Sequence, residues 1–297
     1  MRIWVIKMSV KSFMFNLIDK QKKIGKSISI KHCILLLIFI IPFTLYVSRG
    51  FCVDYTSDAN CKMAFPMDVD ENPLTDSSGN SNTGALKGVG EPDYKTATPP
   101  KAYSTGYYNF DGSNDIVTIT DSVSLSPSGD FSFVTWVRPE TLPTNDYGKG
   151  VVNKNYDLSG AGGFYIAAAY ESNNNYWESG FAFTGGRGNT IISVNNWYHL
   201  GFVYNDAGSP EASAALYLNG VLEHSITSWY EANLDPDNMI LGNYCAKFDG
   251  DEDEIAFFND MLTSTEINDI MDNGLVGAAA GGGGFSVDTT YRIMVVN

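Results

Sequence analysis

The sequence predicts an all-β protein, a sandwich or a barrel, with one late helix. Its apolar runs are short, filled with aromatic and β-branched residues, and separated by Gly, Asn, Asp and Pro. Between Asn196 and Ile255 the strands NWYHLGFVYN, ALYLNGVLEHS and MILGN follow in order, and KFDGDEDEIAFF closes the run. Asn219-Gly220, between Leu216-Tyr217-Leu218 and Val221-Leu222, supplies the two φ > 0 positions of a type I′ hairpin turn.

Taken in order, the chain opens with a cationic stretch. Residues 1–31 carry Arg2 and seven lysines against Asp19, and residues 33–47, CILLLIFIIPFTLYV, have no charge. As a helix that apolar run spans roughly 22 Å, short of a hydrocarbon core of roughly 30 Å. A basic region, a short apolar region and small residues after it read as a secretory signal, cut before Phe51 or Val53 or retained as an anchor helix. Met8 and Met14 are alternative starts. The positive-inside rule puts the rest of the chain outside the cell in either case, and any membrane contact runs through this segment alone. The organisation expected is therefore 1–52 signal peptide or signal-anchor, 61–274 one β domain, and 275–297 a Gly-rich linker and tail.

Within the domain the strands are IVTIT (116–120), FSFVTWV (131–137), GVVNKNY (150–156), GFYIAAAY (163–170) and SGFAFTG (179–185), ahead of the run already described. The helix begins at a capping box, Thr263 as N-cap and Glu266 three residues on. It carries Ile267, Ile270 and Met271 at helical spacing and stops at Gly274. GAAAGGGG (277–284) is a flexible linker by composition. FSVDTTYRIMVVN (285–297) reads as an edge strand or as the opening of a second module.

Charge narrows the function. Residues 1–51 hold nine of the 19 Lys/Arg and one of the 34 Asp/Glu, leaving 10 against 33 and a balance of −23. Such a surface is a poor partner for nucleic acid or an anionic membrane. It suits a self-repelling extracellular protein, and clustered carboxylates suit Ca²⁺. With Cys33 in the apolar run, an oxidising compartment would pair Cys61 with Cys245, or Cys52 with Cys61 if Cys52 survives.

Five segments in order resemble the concanavalin A-like lectin/glucanase superfamily, in particular its laminin-G-like modules. MAFPMDVDENPLTDSSGNSNTGAL (63–86) is similar to the first strand and its D-S-S-G-N-x-N-x-G loop. YYNFDGSNDIVTITDSVSLSPSGDFSFVTWVRPE (107–140) is similar to F-D-G-x-x-D-Y-V followed by F-T-x-x-x-W-V. Trp197–Tyr204 matches W-x-H-V-x-x-V-Y, LYLNGVLEHS matches L-Y-V-D-G-x-L, and FDGDEDEIAFFNDMLTSTEI matches F-x-G-x-I-D-E-V-x-x-Y-x-x-x-L-S-x-x-E-I. The resemblance implies an antiparallel two-sheet jelly-roll sandwich whose first strand lies near the last. That makes a Cys61–Cys245 disulfide plausible. It also implies a structural Ca²⁺ at the loop TDSSGNSNTG (75–84), with Asp76, Asn80, Asn82 and Asp253 as ligands. An Asx-rich turn is the alternative reading of that loop. Two departures stand out: Asp251-Glu252 replaces an apolar step, and SITSWYEANLDPDN (225–238) is longer than a minimal turn.

Enzyme chemistry finds little support. Glucanases of this fold use E-x-D-x-x-E on one strand face. Here Glu252-Asp253-Glu254 is contiguous; strand alternation puts Glu252 and Glu254 on one face, but no carboxylate follows at Ala256 or Phe258. The run DGDEDE (249–254) is therefore expected to form an acidic rim. His32, His199 and His224 lack zinc spacing, His199 reads as a hydrogen-bonded core residue, and G-x-S-x-G and phosphate-loop motifs are absent. The resemblance implies that Trp136 and Trp197 belong to core strands. Tyr176-Trp177, after NNN (173–175), and Trp229-Tyr230, on the inserted connection, are candidate stacking partners for sugar rings, with Arg187 as a polar neighbour. The reading is a secreted or surface-displayed module that binds glycans without catalysis. A module adhering to cell-surface protein or other polymers is the alternative, and a glucanase-like hydrolase is third.

Overall fold

In the computed structural model the described residues are 53–89, 91–155, 162–234 and 236–277. The signal or anchor segment, the Cys52 alternative and the C-terminal tail lie outside them. Among the described residues sixteen strands form two sheets. The first has the order β13-β12-β11-β6-β16-β4-β3, with β1 paired to β16: β1 Cys61–Phe65, β3 Asp93–Lys95, β4 Tyr107–Asp111, β6 Phe131–Pro139, β11 Tyr198–Asn205, β12 Ala212–Leu218, β13 Val221–Ser228 and β16 Asp249–Phe258. The second has the order β10-β9-β8-β7-β14-β5-β2: β2 Gly84–Lys87, β5 Ile116–Ile119, β7 Lys149–Lys154, β8 Phe164–Glu171, β9 Asn174–Phe181, β10 Thr184–Arg187 and β14 Met239–Leu241. The short β15 (Ala246–Lys247) pairs in parallel with β7; the remaining pairs are antiparallel.

The two inner faces share one core in which Phe131, Phe133, Phe164, Phe202 and Phe257 interlock, with centroid separations such as 5.2 Å for Phe131–Phe164 and 5.3 Å for Phe164–Phe202. Helix α1 (Ser264–Asn273) covers part of the outer face of the first sheet, burying Ile267 and Ile270 against Val134, Ala256 and Phe258. Its capping box forms as expected, and Gly274 ends it at φ 79°. Asn219 (φ 49°) and Gly220 (φ 76°) make the expected β12–β13 turn.

SGFAFTG is not one strand. The chain reverses at Ala182-Phe183, with Ala182 at φ 47°, so β9 and β10 form a hairpin registered Thr184 to Phe181 and Arg187 to Glu178. Backbone reversal at Ala-Phe carries no Gly, Asn or Asp to announce it.

Candidate functional site

The β9–β10 hairpin is the edge of the second sheet. Alternation along β9 buries Trp177, Ser179 and Phe181 and turns Tyr176, Glu178 and Gly180 outward. Trp177 is 1 % exposed and packs edge-on against Tyr198 at 5.9 Å. The expectation that it meets ligand is thus corrected: of adjacent strand residues only one can face out. Tyr176 does face out. The Arg187 guanidinium lies over its ring at 4.5 Å and forms an ion pair with Glu171. Further along the same face Tyr165 stacks on Tyr244 at 4.2 Å and 8°. Gly180 makes room for that stack, since a Cβ there would come within 2.4 Å of the Tyr165 ring.

At the turn of the hairpin Phe183 is 58 % exposed and Tyr230 59 %, and Trp229, next to Tyr230 in the chain, is 74 % exposed. Phe183 and Tyr230 meet edge-to-face at 5.0 Å. Two ties hold this edge to the first sheet. Ser179 Oγ and His224 Nε2 are 3.1 Å apart, and Glu223 accepts from the backbone N–H groups of Asn189 and Thr190 at 2.6 Å each. Phe183 could not be read as part of a site from sequence, because SGFAFTG looks like a strand interior.

The run DGDEDE does not form a rim. It lies in β16, a central strand, and residues 251–254 are buried. Asp251 meets Arg138 Nε at 2.5 Å and Asn109 at 2.9 Å. Glu252 sits opposite Tyr108 and Val137, both core residues, and so points between the sheets. Neither of its oxygens has a hydrogen bond of ordinary geometry, and burial drives its carboxyl well above the usual range. An extra residue between Asp253 and Ala256, with Glu254 at φ 52°, is a β-bulge that breaks the alternation. Asp253 and Glu254 therefore both leave the core side: Asp253 accepts from Ser104 Oγ at 2.6 Å and Glu254 from Leu275 N at 2.7 Å. Burial pushes Glu254 up to about 8 and Asp253 upward as well. Glu252 and Glu254 do not share a face, which removes the last geometric basis for a glucanase pair.

A family model of the concanavalin A-like lectin/glucanases superfamily matches residues 111–268, more than half of the chain. The chain belongs to the concanavalin A-like lectin/glucanase superfamily. Among solved structures, domain 4 of an extracellular arabinanase from Geobacillus stearothermophilus, crystallised with arabinotriose, is 21 % identical with a TM-score of 0.55, over 72 % of this chain and 98 % of that one. The receptor-binding domain of botulinum neurotoxin C/D mosaic serotype is 16 % identical with a TM-score of 0.52, and the serotype G binding domain 16 % identical with 0.50. Each of these covers 71 % of this chain, which spans about half of the toxin domain. At such identities the likeness establishes the fold. Curated protein sequences give no match.

In the superfamily loop at 75–84 the expected metal ligands are engaged in hydrogen bonds within the protein. Asp76 accepts from the backbone N–H groups of Ala64, Ser78 and Asn82 at 2.9–3.0 Å, so both of its oxygens are occupied as turn caps. Asn82 Oδ1 accepts from Ser122, while the amides of Asn80 and Asn82 donate to the carbonyls of Cys61 and Lys62. Asp253 is engaged with Ser104, and no group of three or more metal-ligating His, Cys, Asp or Glu side chains occurs among the described residues. The superfamily's first-to-last strand pairing is present, but it does not join the cysteines. Cys61 lies opposite Phe258, at the far end of β16, while Cys245 precedes β15 in the second sheet. Ten residues of β16 separate the two ends by about 30 Å, against less than about 7 Å between Cα atoms for a disulfide, and both thiols are free. His199 is buried on the outer face of the first sheet, edge-on to Trp136 at 5.1 Å, but neither ring nitrogen has a hydrogen bond, and burial holds it neutral, down to about 3.

Proposed function

We propose that this domain is a non-catalytic glycan-recognition module working outside the cell, with the β9–β10 edge of the second sheet as its binding surface. The observation that carries the reading is the solvent exposure of Phe183 and Tyr230, in contact at one end of that hairpin, and of Trp229 beside Tyr230 in the chain. Aromatic faces left in water suit the C–H face of a pyranose or furanose ring, and Tyr176 with Arg187 provides a second ring and a polar neighbour along the same hairpin. Support comes from a similar arabinanase domain crystallised with arabinotriose and from similar toxin domains named for receptor binding. The cationic and then apolar start of the chain, and its acid-rich remainder, support export. Non-catalysis is supported by the fate of the carboxylates in β16, which are buried and separated by the bulge.

A glycan array with wild type and the Trp229→Ala/Tyr230→Ala double variant tests the reading. Binding by wild type and at least tenfold weaker binding by the variant, with unchanged unfolding, are expected, since exposed positions contribute little to stability. Silence of the wild type across neutral and acidic glycans would overturn the reading.

A further inference from the structure

Glu178 is a carboxyl group without a partner. It projects from the outer face of β9, opposite Ala167 of β8 and Arg187 of β10. Arg187 is turned to Glu171 and Tyr176 instead. Among the described residues no side chain or backbone group donates to Glu178 and no cation offsets it; desolvation by its surroundings pushes it up to about 7. Its Oε1 lies against Gly148, where an added Cβ would stand 3.2 Å away. A partly buried carboxyl left without donors costs free energy unless something supplies them.

Beside it lies a cleft of about 560 Å³ lined by Thr144, Asn145, Tyr147, Lys149, Cys245 and Ala246. Gly148 sits in the chain between two of these lining residues, and Cys245 feels the Glu178 charge. The volume is in the range of small-molecule sites. Tyr147 is exposed, and the Tyr165–Tyr244 stack closes the neighbouring stretch of the sheet face. Lys149 is engaged by Asp249 and Thr141. The cleft offers the Tyr147 ring, the Thr144 hydroxyl and the Asn145 amide, Glu178 adds a carboxyl at its margin beyond Gly148, and Lys149 is already engaged, which suits a ligand that brings hydroxyl donors and no negative charge.

We propose that Glu178 and the adjoining cleft form a sugar subsite in which the carboxylate accepts from ligand hydroxyls, selecting neutral glycans over those bearing uronate or sialate groups. The proposal rests on the glycan reading above and names its specificity. Charge-assisted hydrogen bonds to an otherwise unpaired carboxylate make Glu178→Ala about 10- to 100-fold weaker for neutral oligosaccharides.

The experiment compares wild type, Glu178→Ala, Glu178→Gln and Trp229→Ala/Tyr230→Ala on immobilised neutral oligosaccharides, arabinotriose included, and on galacturonate and sialylated oligosaccharides, with thermal unfolding of each protein alongside. Expected are wild-type binding confined to neutral glycans, the stated loss in Glu178→Ala with undiminished thermal stability, and weakened neutral binding with gained acidic binding in Glu178→Gln. If wild type binds and both Glu178 variants bind neutral glycans equally well, the subsite proposal falls while the glycan reading stands. Wild-type binding to acidic glycans also overturns it. Binding to none overturns the subsite and the glycan reading together.

Discussion

Glu254 gives the sharpest quantitative test of the fold. Its carboxyl is buried at the bulge of β16 and accepts from Leu275 N at 2.7 Å, just past the end of α1. Burial raises it from 4.5 to about 8. An acid raised on folding contributes stability that is fully present below the unfolded value and is lost as pH rises through the folded one. Each pH unit between those values removes about 1.4 kcal/mol, so between about pH 5 and pH 7 the group accounts for a loss of about 2.5 kcal/mol. Glu254→Gln keeps an acceptor for Leu275 and removes the titration. Asp253 shifts in the same direction, through burial first and repulsion from Glu254 second, so removing the Glu254 charge also relieves Asp253 and adds to the variant's gain. Urea unfolding followed by tryptophan fluorescence, at pH steps from about 5 to 8, should show near-equal stability at the acid end. The variant should gain about 2–3 kcal/mol over wild type near neutrality, at constant m-value. Parallel pH profiles for the two proteins would refute the burial argument, as would a wild type that gains on the variant with rising pH.

Two further outcomes follow from side chains whose surroundings differ from their sequence reading. Glu252→Leu replaces an unpaired carboxyl in the core with an apolar side chain; its denaturation midpoint near pH 7 should rise, by about 1–3 kcal/mol in stability, and an unchanged or lower midpoint would contradict an inward-facing Glu252. Asp76→Ala strips three backbone N–H groups of their acceptor and should cost about 2–3 kcal/mol, equally with Ca²⁺ and with EDTA. A loss that appears with Ca²⁺ alone would mean that the loop holds metal after all.

The architecture was legible because its signals are local. Asn219-Gly220 demands a type I′ turn, Thr263 and Glu266 demand a helix start, and alternating apolar residues demand half-buried strands. Of the residues that the sequence singles out for ligand contact, Trp229 and Tyr230 are exposed, and Tyr176 and Arg187 touch on the outer face of the second sheet. Trp177 was misread because its facing depends on the phase of β9, which the preceding turn at Ser172-Asn173 sets through two residues at positive φ. Phe183 was missed because the reversal at Ala182 lacks turn chemistry. Glu178 was missed because an isolated Glu in a strand looks like any solvated charge until its neighbours are known.

Sequence alone determined the jelly-roll, through turn and cap residues whose conformational needs are intrinsic, and through an ordered set of superfamily motifs. It also determined the acid-rich charge balance. Tertiary structure alone decided where that charge goes. A one-residue bulge in β16 sends Glu252 into the core and brings Asp253 and Glu254 to the other side, and no residue type in DGDEDE announces it. The antiparallel pairing of β1 with β16 separates the two cysteines that the first-to-last contact had brought together in expectation. The packing around Gly148 leaves one carboxyl, Glu178, without a donor. Such features depend on register and on contacts between residues distant in the chain, and local propensity carries no information about them.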